Sequence, residues 1–265
     1  MQTRLSPLRS GGLMANYACS SRCRHCAYFS GPEWSNDYIG EDAARKTLRI
    51  LKNHGCSSVH IGGGEPFLGR ERLVDLVGWC FDEGVHVEYV ETNASWYNGS
   101  DGADRLLREV SRCGLDTLLI SISPFHNEFV PWRKTRDLIE ACRNEGVAVF
   151  PWVEGFVPDI SALDADATHS IEEYEQLYGE GYLEGLPSRY WISPRGRAVE
   201  TFRRFEHRRS AEDIADQSPG ACRELYDTSH FHVDLYGNFI PGVCSGLSIA
   251  IDDLDGDIDP QKYPF

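Results

Sequence analysis

Four successive rounds of a helix followed by a short strand, spaced by about 30 residues, restrict this chain to a small set of folds. In the first round "GEDAARKTLRILKNHG" (40–55) carries apolar residues at helical spacing and ends in Gly, and "SSVHIGGGEP" (57–66) is a strand running into a glycine turn. The second pairs helix "RERLVDLVGWCFDEG" (70–84) with strand "VHVEYVETN" (85–93), and the third pairs "GADRLLREVSRCG" (102–114) with "DTLLISISP" (116–124). The fourth pairs "WRKTRDLIEACRNEG" (132–146) with "VAVFPWV" (147–153), and "GGLMANYAC" supplies a strand before them all. Such a series predicts consecutive right-handed crossovers and a parallel sheet. Ligands bind such sheets at the carboxyl ends of the strands, where this chain places Cys19, "GGGEP", "ETNAS" and "SPFHNE". The chemistry is expected on that one rim.

Beyond residue 154 the rhythm fails. An irregular acidic stretch, "EGFVPDISALDADATHS", leads to a predicted helix "SIEEYEQLYGEG" and then to the basic, helix-prone "SPRGRAVETFRRFEHRRS". "HFHVDLYGNFIPG" (230–242) alternates with period two around Tyr-Gly-Asn and predicts a hairpin. The end, "IDDLDGDIDPQKYPF", stops just after a Pro without a cap or tail, the pattern of a truncated chain.

The formal net charge of -15 repels phosphate backbones, so nucleic acid is not an expected partner. No stretch reaches the ~18 apolar residues of a membrane span, and "MQTRLSPLRSGG" lacks the apolar core of a signal peptide. No membrane partner is expected, and the expected location is cytoplasmic. At 265 residues the chain needs no disulfide or structural metal merely to fold. Its nine cysteines are an odd number, which argues for metal or redox chemistry over a disulfide framework. Cys56, Cys80, Cys113 and Cys142 sit near predicted helix ends among apolar neighbours and are read as buried bystanders.

Three cysteines remain together in "MANYACSSRCRHCAYFSGPEW". Thiolates are soft ligands for zinc and iron-sulfur clusters, and C-x3-C-x2-C lets one loop wrap three corners of a cubane. Spacing alone leaves open a zinc site completed by His25 or by the distant Cys222 or Cys244. The combination of Cys19, Cys23 and Cys26 after the first strand with Gly63-Gly64-Glu65-Pro66 after the second resembles the radical S-adenosylmethionine (SAM) superfamily. The resemblance spans about residues 12 to 155. It implies an α/β fold of the partial (β/α)6 TIM-type barrel kind with parallel strands, over 12–240, followed by a short C-terminal extension at 241–265.

The resemblance further implies a 4Fe-4S cluster held by Cys19, Cys23 and Cys26, with its fourth iron chelated by the amino and carboxylate groups of SAM. Reductive cleavage of SAM would give methionine and a 5'-deoxyadenosyl radical, which abstracts hydrogen from a peptide, amino-acid or small-metabolite substrate. A reductant such as flavodoxin or ferredoxin is implied as partner. Gly62, Gly63 and Gly64 would let the backbone approach SAM, Glu65 would face its ammonium, and Pro66 would stiffen the turn. Thr92 and Asn93, rather than Glu91, are expected to line the pocket, with Ser121 and Ser123 on one strand face toward the ribose and His25 stacked near adenine. His126, in a loop beyond the fourth strand with Glu128, is the expected substrate-side residue.

Cys222 and Cys244 flank the predicted hairpin and partly resemble the opening of the SPASM and twitch extensions, which hold auxiliary iron-sulfur clusters. Six residues rather than four separate Gly237 from Cys244, and no cysteine follows. Three readings stay open for the pair: buried structural thiols, a remnant or incompletely ligated auxiliary cluster, or, at Cys244, a catalytic hydrogen donor. Two alternatives to SAM chemistry also stand: a zinc-binding interaction protein, and an electron-transfer iron-sulfur protein.

Overall fold

The computed structural model of the chain describes residues 7–207, 209–218, 227–242, 244, 246–255 and 262–263. Five strands and their crossovers follow in chain order: β1 (Ser10–Met14), α1 (Glu41–Asn53), β2 (Ser58–Gly62), α2 (Arg70–Asp82), β3 (His86–Thr92), α3 (Asp101–Arg112), β4 (Thr117–Ser121), α4 (Pro124–Asn127), α5 (Trp132–Glu145) and β5 (Ala148–Trp152). The helix–strand series therefore folds as expected. Gly146 closes α5 in the left-handed conformation, φ 73°, which a side chain would resist.

The sheet has eight strands in the order β5-β4-β3-β2-β1-β6-β7-β8, counting β6 (His230–Asp234), β7 (Asn238–Pro241) and β8 (Ile249–Ala250). It is mostly parallel and does not close, as a partial barrel requires. Its sixth parallel strand, β6, pairs with β1 rather than with β5, in a register that sets Gly12 between His60 and His232. The expected hairpin forms as β6 and β7, antiparallel with Val233 opposite Phe239.

Alternation sorts each strand. On β4, Leu118 and Ile120 are fully buried toward the helices, while Leu119 and Ser121 face the inside of the unclosed barrel. The helix-side core joins Leu13, Ile61, Val90 and Ile120 to Leu48 and Leu51 of α1, Leu73 and Leu76 of α2, Leu107 of α3 and Leu138 of α5. Each such leucine contributes about 1.5–3 kcal/mol by leaving water. Cys56, Cys80 and Cys142 belong to this core, and Cys113 packs partly buried against it.

The stretch whose rhythm fails builds a second core. It contains α6 (Val157–Ser161), α7 (Ile171–Tyr178), α8 (Tyr182–Arg189), α9 (Arg197–Phe202) and α10 (Ala211–Gln217). Ser170 and Glu173 form a reciprocal capping box that starts α7 within the predicted helix. Phe156, Tyr174, Leu186 and Phe202 pack with Phe125, Trp132 and Cys23, so this layer is built onto the cysteine loop itself.

Candidate active site

Where β1 ends, the chain is fastened to the turn after β2. Gly64 donates its N–H to the carbonyl of Asn16 at 2.8 Å, Glu65 donates to Ala18 at 2.9 Å, and the Asn16 amide returns a bond to the Glu65 carbonyl at 3.0 Å. Gly63 has φ 140°, and a Cβ there would stand 2.5 Å from the Asn16 carbonyl; one on Gly64 would overlap that of Ala18. Glycine is thus required by close approach of two backbones. The consequence is a fixed starting point for the loop that carries Cys19, Cys23 and Cys26.

All three cysteines line one open cleft, together with Gly63, Gly64, Thr92, Asn93, Ser121, His25 and His126. No fourth cysteine among the described residues lines it. Asn93 directs its amide nitrogen to Cys19 Sγ at 3.5 Å and to Ser21 Oγ at 3.2 Å, and the Ser21 N–H reaches the same sulfur at 3.4 Å.

Several expected residues take other positions. Glu65, expected to face an ammonium, is fully buried outside the cleft: its carboxylate accepts from Thr92 Oγ1 at 2.9 Å, Asn93 N at 2.8 Å and Phe67 N at 3.3 Å. It therefore couples the ends of β2 and β3 and reaches the cleft only through Thr92 and Asn93. Gly62 and Pro66 are buried beside the cleft, Gly62 ending β2 and Pro66 opening a 3₁₀ turn.

Ser123, expected beside Ser121 on one strand face, lies past the end of β4 and caps α4, accepting from His126 N and standing 2.7 Å from His126 Nδ1. The expected loop is a helix there because Ser-Pro supplies an N-cap followed by a proline preset for the first turn. Its cap aims His126 into the cleft. His25 stacks on Phe125 with ring centroids 4.7 Å apart and meets His126 edge-on at 5.0 Å. Burial pushes the His126 imidazole down to about 4 and that of His25 well below its usual value. Both are therefore neutral walls for a flat ligand.

Two further cleft residues have consequences, one that the sequence argued against and one that it did not bring forward. One is Glu91, which lines the cleft in addition to Thr92 and Asn93. The other is Arg197, whose Nε donates to the Cys23 carbonyl at 3.0 Å while Nη2 binds the Ser30 carbonyl and its backbone N–H reaches Cys26 O at 3.0 Å. Gly196, at φ 51°, and Thr201, donating to the Arg24 carbonyl at 2.8 Å, complete this clamp. A glycine inside an otherwise helical basic stretch was the available signal for such a turn.

By donor type, three thiols on one loop suit an iron-sulfur cluster, whereas no three of the described His, Cys, Asp and Glu side chains are grouped to hold a single metal ion. Burial pushes the Cys19 thiol up to about 12 and that of Cys23 well above its ordinary value, so the apo site is a desolvated set of thiols to which metal binding would be coupled by proton release. Buried polar atoms without a hydrogen-bond partner in the structure include His25 Nδ1, Ser30 Oγ and Ser193 Oγ, all from residues lining this cleft. Native interiors rarely leave such groups unmet, which points to a polar ligand in the cleft.

Cys244 is not brought to this cleft. It lines a neighbouring hollow with Tyr17, Arg195 and Asp234, and Ala27 and Tyr28 stand in the walls of both. The reason is topological: the hairpin continues the sheet beyond β6 and carries Cys244 past that edge. Cys222 lies outside the described residues.

A parallel unclosed sheet with a three-cysteine loop at its carboxyl rim, fastened to a glycine turn, defines a radical SAM domain. The sequence profile of the Radical SAM superfamily matches residues 15–156, more than half of the chain, and the protein belongs to that superfamily of enzymes. No curated protein sequence matches. Among solved structures, hexahistidine-tagged anSMEcpe with bound AdoMet aligns at TM-score 0.52 and 15% identity, covering 93% of this chain and 76% of that one. BtrN in complex with AdoMet and 2-DOIA aligns at 0.49 and 13%, covering 97% and 80%. Streptococcus suis SuiB bound to S-adenosylmethionine aligns at 0.46 and 14%, covering 97% and 67%. At 15% identity the likeness to anSMEcpe concerns the fold alone.

Among the described residues, no helix is long and apolar enough to cross a membrane.

Proposed function

We propose that the protein reductively cleaves SAM at a 4Fe-4S cluster held by Cys19, Cys23 and Cys26, and uses the resulting radical to abstract hydrogen from a peptide, amino-acid or small-metabolite substrate. The observation that carries this reading is a single cleft walled by three cysteines and by the Gly63-Gly64 turn, with no fourth cysteine among the described residues. The bound cluster would supply one electron to the sulfonium C–S bond, giving methionine and a 5'-deoxyadenosyl radical.

The chain's own residues do the rest. The three cysteines would hold the cluster, and Asn93 and the Ser21 N–H donate to the Cys19 sulfur, which favours its anionic form. Gly63 and Gly64 admit the methionyl end of SAM against backbone, and Ser121, His25 and His126 wall the adenosyl end without charge. The α4 to α9 layer packs against the loop and limits access of dioxygen, which traps carbon radicals. A cytoplasmic reductant such as flavodoxin or ferredoxin supplies the electron.

The experiment is anaerobic reconstitution followed by incubation with SAM and dithionite. 5'-Deoxyadenosine by mass spectrometry supports the reading. A zinc protein would hold zinc without iron, and an electron carrier would show a cluster EPR signal that ignores SAM.

A further inference from the structure

On the inner face of the sheet, Glu91 is a carboxylate set among aromatic rings. Glu91 stands two residues before Asn93 on β3, so it lies about 6.6 Å further from the cluster loop along the strand. Gly62 makes room for it: a Cβ there would stand 2.8 Å from Glu91 Oε2. Tyr28, Tyr89, Trp152 and Tyr190 line the same cleft. Trp152 meets Tyr190 edge-on with centroids 6.1 Å apart, and Tyr89 stacks on His60 at 4.9 Å.

Among the described residues no Lys or Arg pairs with this carboxylate, and the Arg197 of the same cleft is turned to the Cys23 and Ser30 carbonyls. The ion-pair partner of Glu91 among the described residues is His60, whose Nε2 is 3.9 Å away, too far for a hydrogen bond. Burial and the neighbouring His232 and His230 push the His60 imidazole down to about 3, so it is neutral at physiological pH. The other titratable groups that feel Glu91 are Glu65, Tyr28, Tyr89 and Tyr190, none of which brings positive charge. Burial alone pushes the Glu91 carboxyl up to about 7. Its side chain is 38% accessible, and the surface it exposes belongs to the cleft it lines. A carboxylate that opens into the cleft beside aromatic rings is matched by a cation, which gains from both.

We propose that Glu91 and the surrounding aromatic wall form a substrate subsite for a cationic group, a primary ammonium or a guanidinium. The inference rests on the radical SAM reading of the cleft and adds the substrate class to it: the group that presents its C–H bond to the radical also carries a positive charge. SAM is itself a cation, so the test must separate the two sources.

The test is calorimetric titration of the anaerobically reconstituted, SAM-saturated enzyme with n-pentylamine, n-pentylguanidine and the neutral n-pentanol, with SAM affinity measured in parallel. The wild type is expected to bind the two cations at least about tenfold more tightly than pentanol. Glu91→Gln abolishes that preference while changing SAM affinity less than about threefold. Tyr89→Leu, which keeps the carboxylate, weakens the cations more than pentanol. Equal binding of pentanol and pentylamine by the wild type would overturn the proposal, as would a Glu91→Gln loss of SAM affinity as large as the loss of amine affinity. Assaying 5'-deoxyadenosine in the same samples keeps the two readings apart. Charge preference without SAM cleavage would remove the function and leave the subsite, and cleavage without charge preference would do the reverse.

Discussion

Arg197 donates from Nε to the carbonyl oxygen of Cys23 at 3.0 Å, across 174 positions of sequence, and thereby fastens the middle of the cysteine loop to the start of α9. Arg197 is only 8% exposed, so the acceptors it leaves behind on removal would be buried ones. Arg197→Gln is expected to cost about 1–3 kcal/mol of stability, the penalty for unmet buried groups, and to lower iron retention after anaerobic desalting. Arg197→Lys, a point charge without the fork, should recover only part of it. Unchanged iron content in both variants would show that the clamp does not support the loop.

Gly64 faces the Ala18 carbonyl too closely to accept a Cβ. Gly64→Ala should separate the glycine turn from the cysteine loop, lowering SAM affinity more than about tenfold and destabilising the apo-protein by about 1–3 kcal/mol, as overpacking does. Calorimetric SAM binding and a denaturant melt check the two effects separately.

The carboxyl of Glu65 is pushed up to about 7 by burial, against three donors that pull it down. A folded value above the ordinary 4.5 means that the folded state holds this proton more tightly, so its stabilising effect is complete below 4.5 and is lost as pH rises through about 7. Urea melts of the apo-protein should show stability falling by roughly 3 kcal/mol between about pH 5 and pH 8 from this group. Glu65→Gln should flatten that slope, whatever its absolute cost. A slope identical in wild type and variant would mean that the carboxyl is not protonated in the fold.

Asn93 gives its amide to Cys19 Sγ, and such donors stabilise the more negative state of a thiolate-ligated cluster. Asn93→Leu should therefore make the reduction potential of the reconstituted cluster more negative, read by EPR-monitored titration, with iron content near wild type. A potential that stays put would assign Asn93 to loop structure alone.

The five-strand series was legible because each round repeats two strong signals, a 3.6-residue apolar period and a short β-branched run. The three cysteines and Gly63-Gly64 were legible because thiolates and glycines do work that few other residues can do. Glu65 was assigned to the wrong surface because a motif gives residue types and not which way a buried carboxylate turns; only the pairing of β2 with β3 shows that Thr92 and Asn93 claim it. Arg197 could not be read at all from the cysteine loop. Its partners are backbone carbonyls contributed by Cys23, Cys26 and Ser30, which carry no sequence signature. Likewise, the pairing of β6 with β1 rather than β5 depends on the helical layer between them, a long connection whose route no local pattern specifies.

The most direct test of the central claim is the yield of 5'-deoxyadenosine and methionine from anaerobic, iron-reconstituted protein given SAM and dithionite, compared with Cys26→Ala. The account requires both products from the wild type and neither from the variant. Wild-type protein that carries four irons and sulfides per chain yet forms no 5'-deoxyadenosine would contradict it.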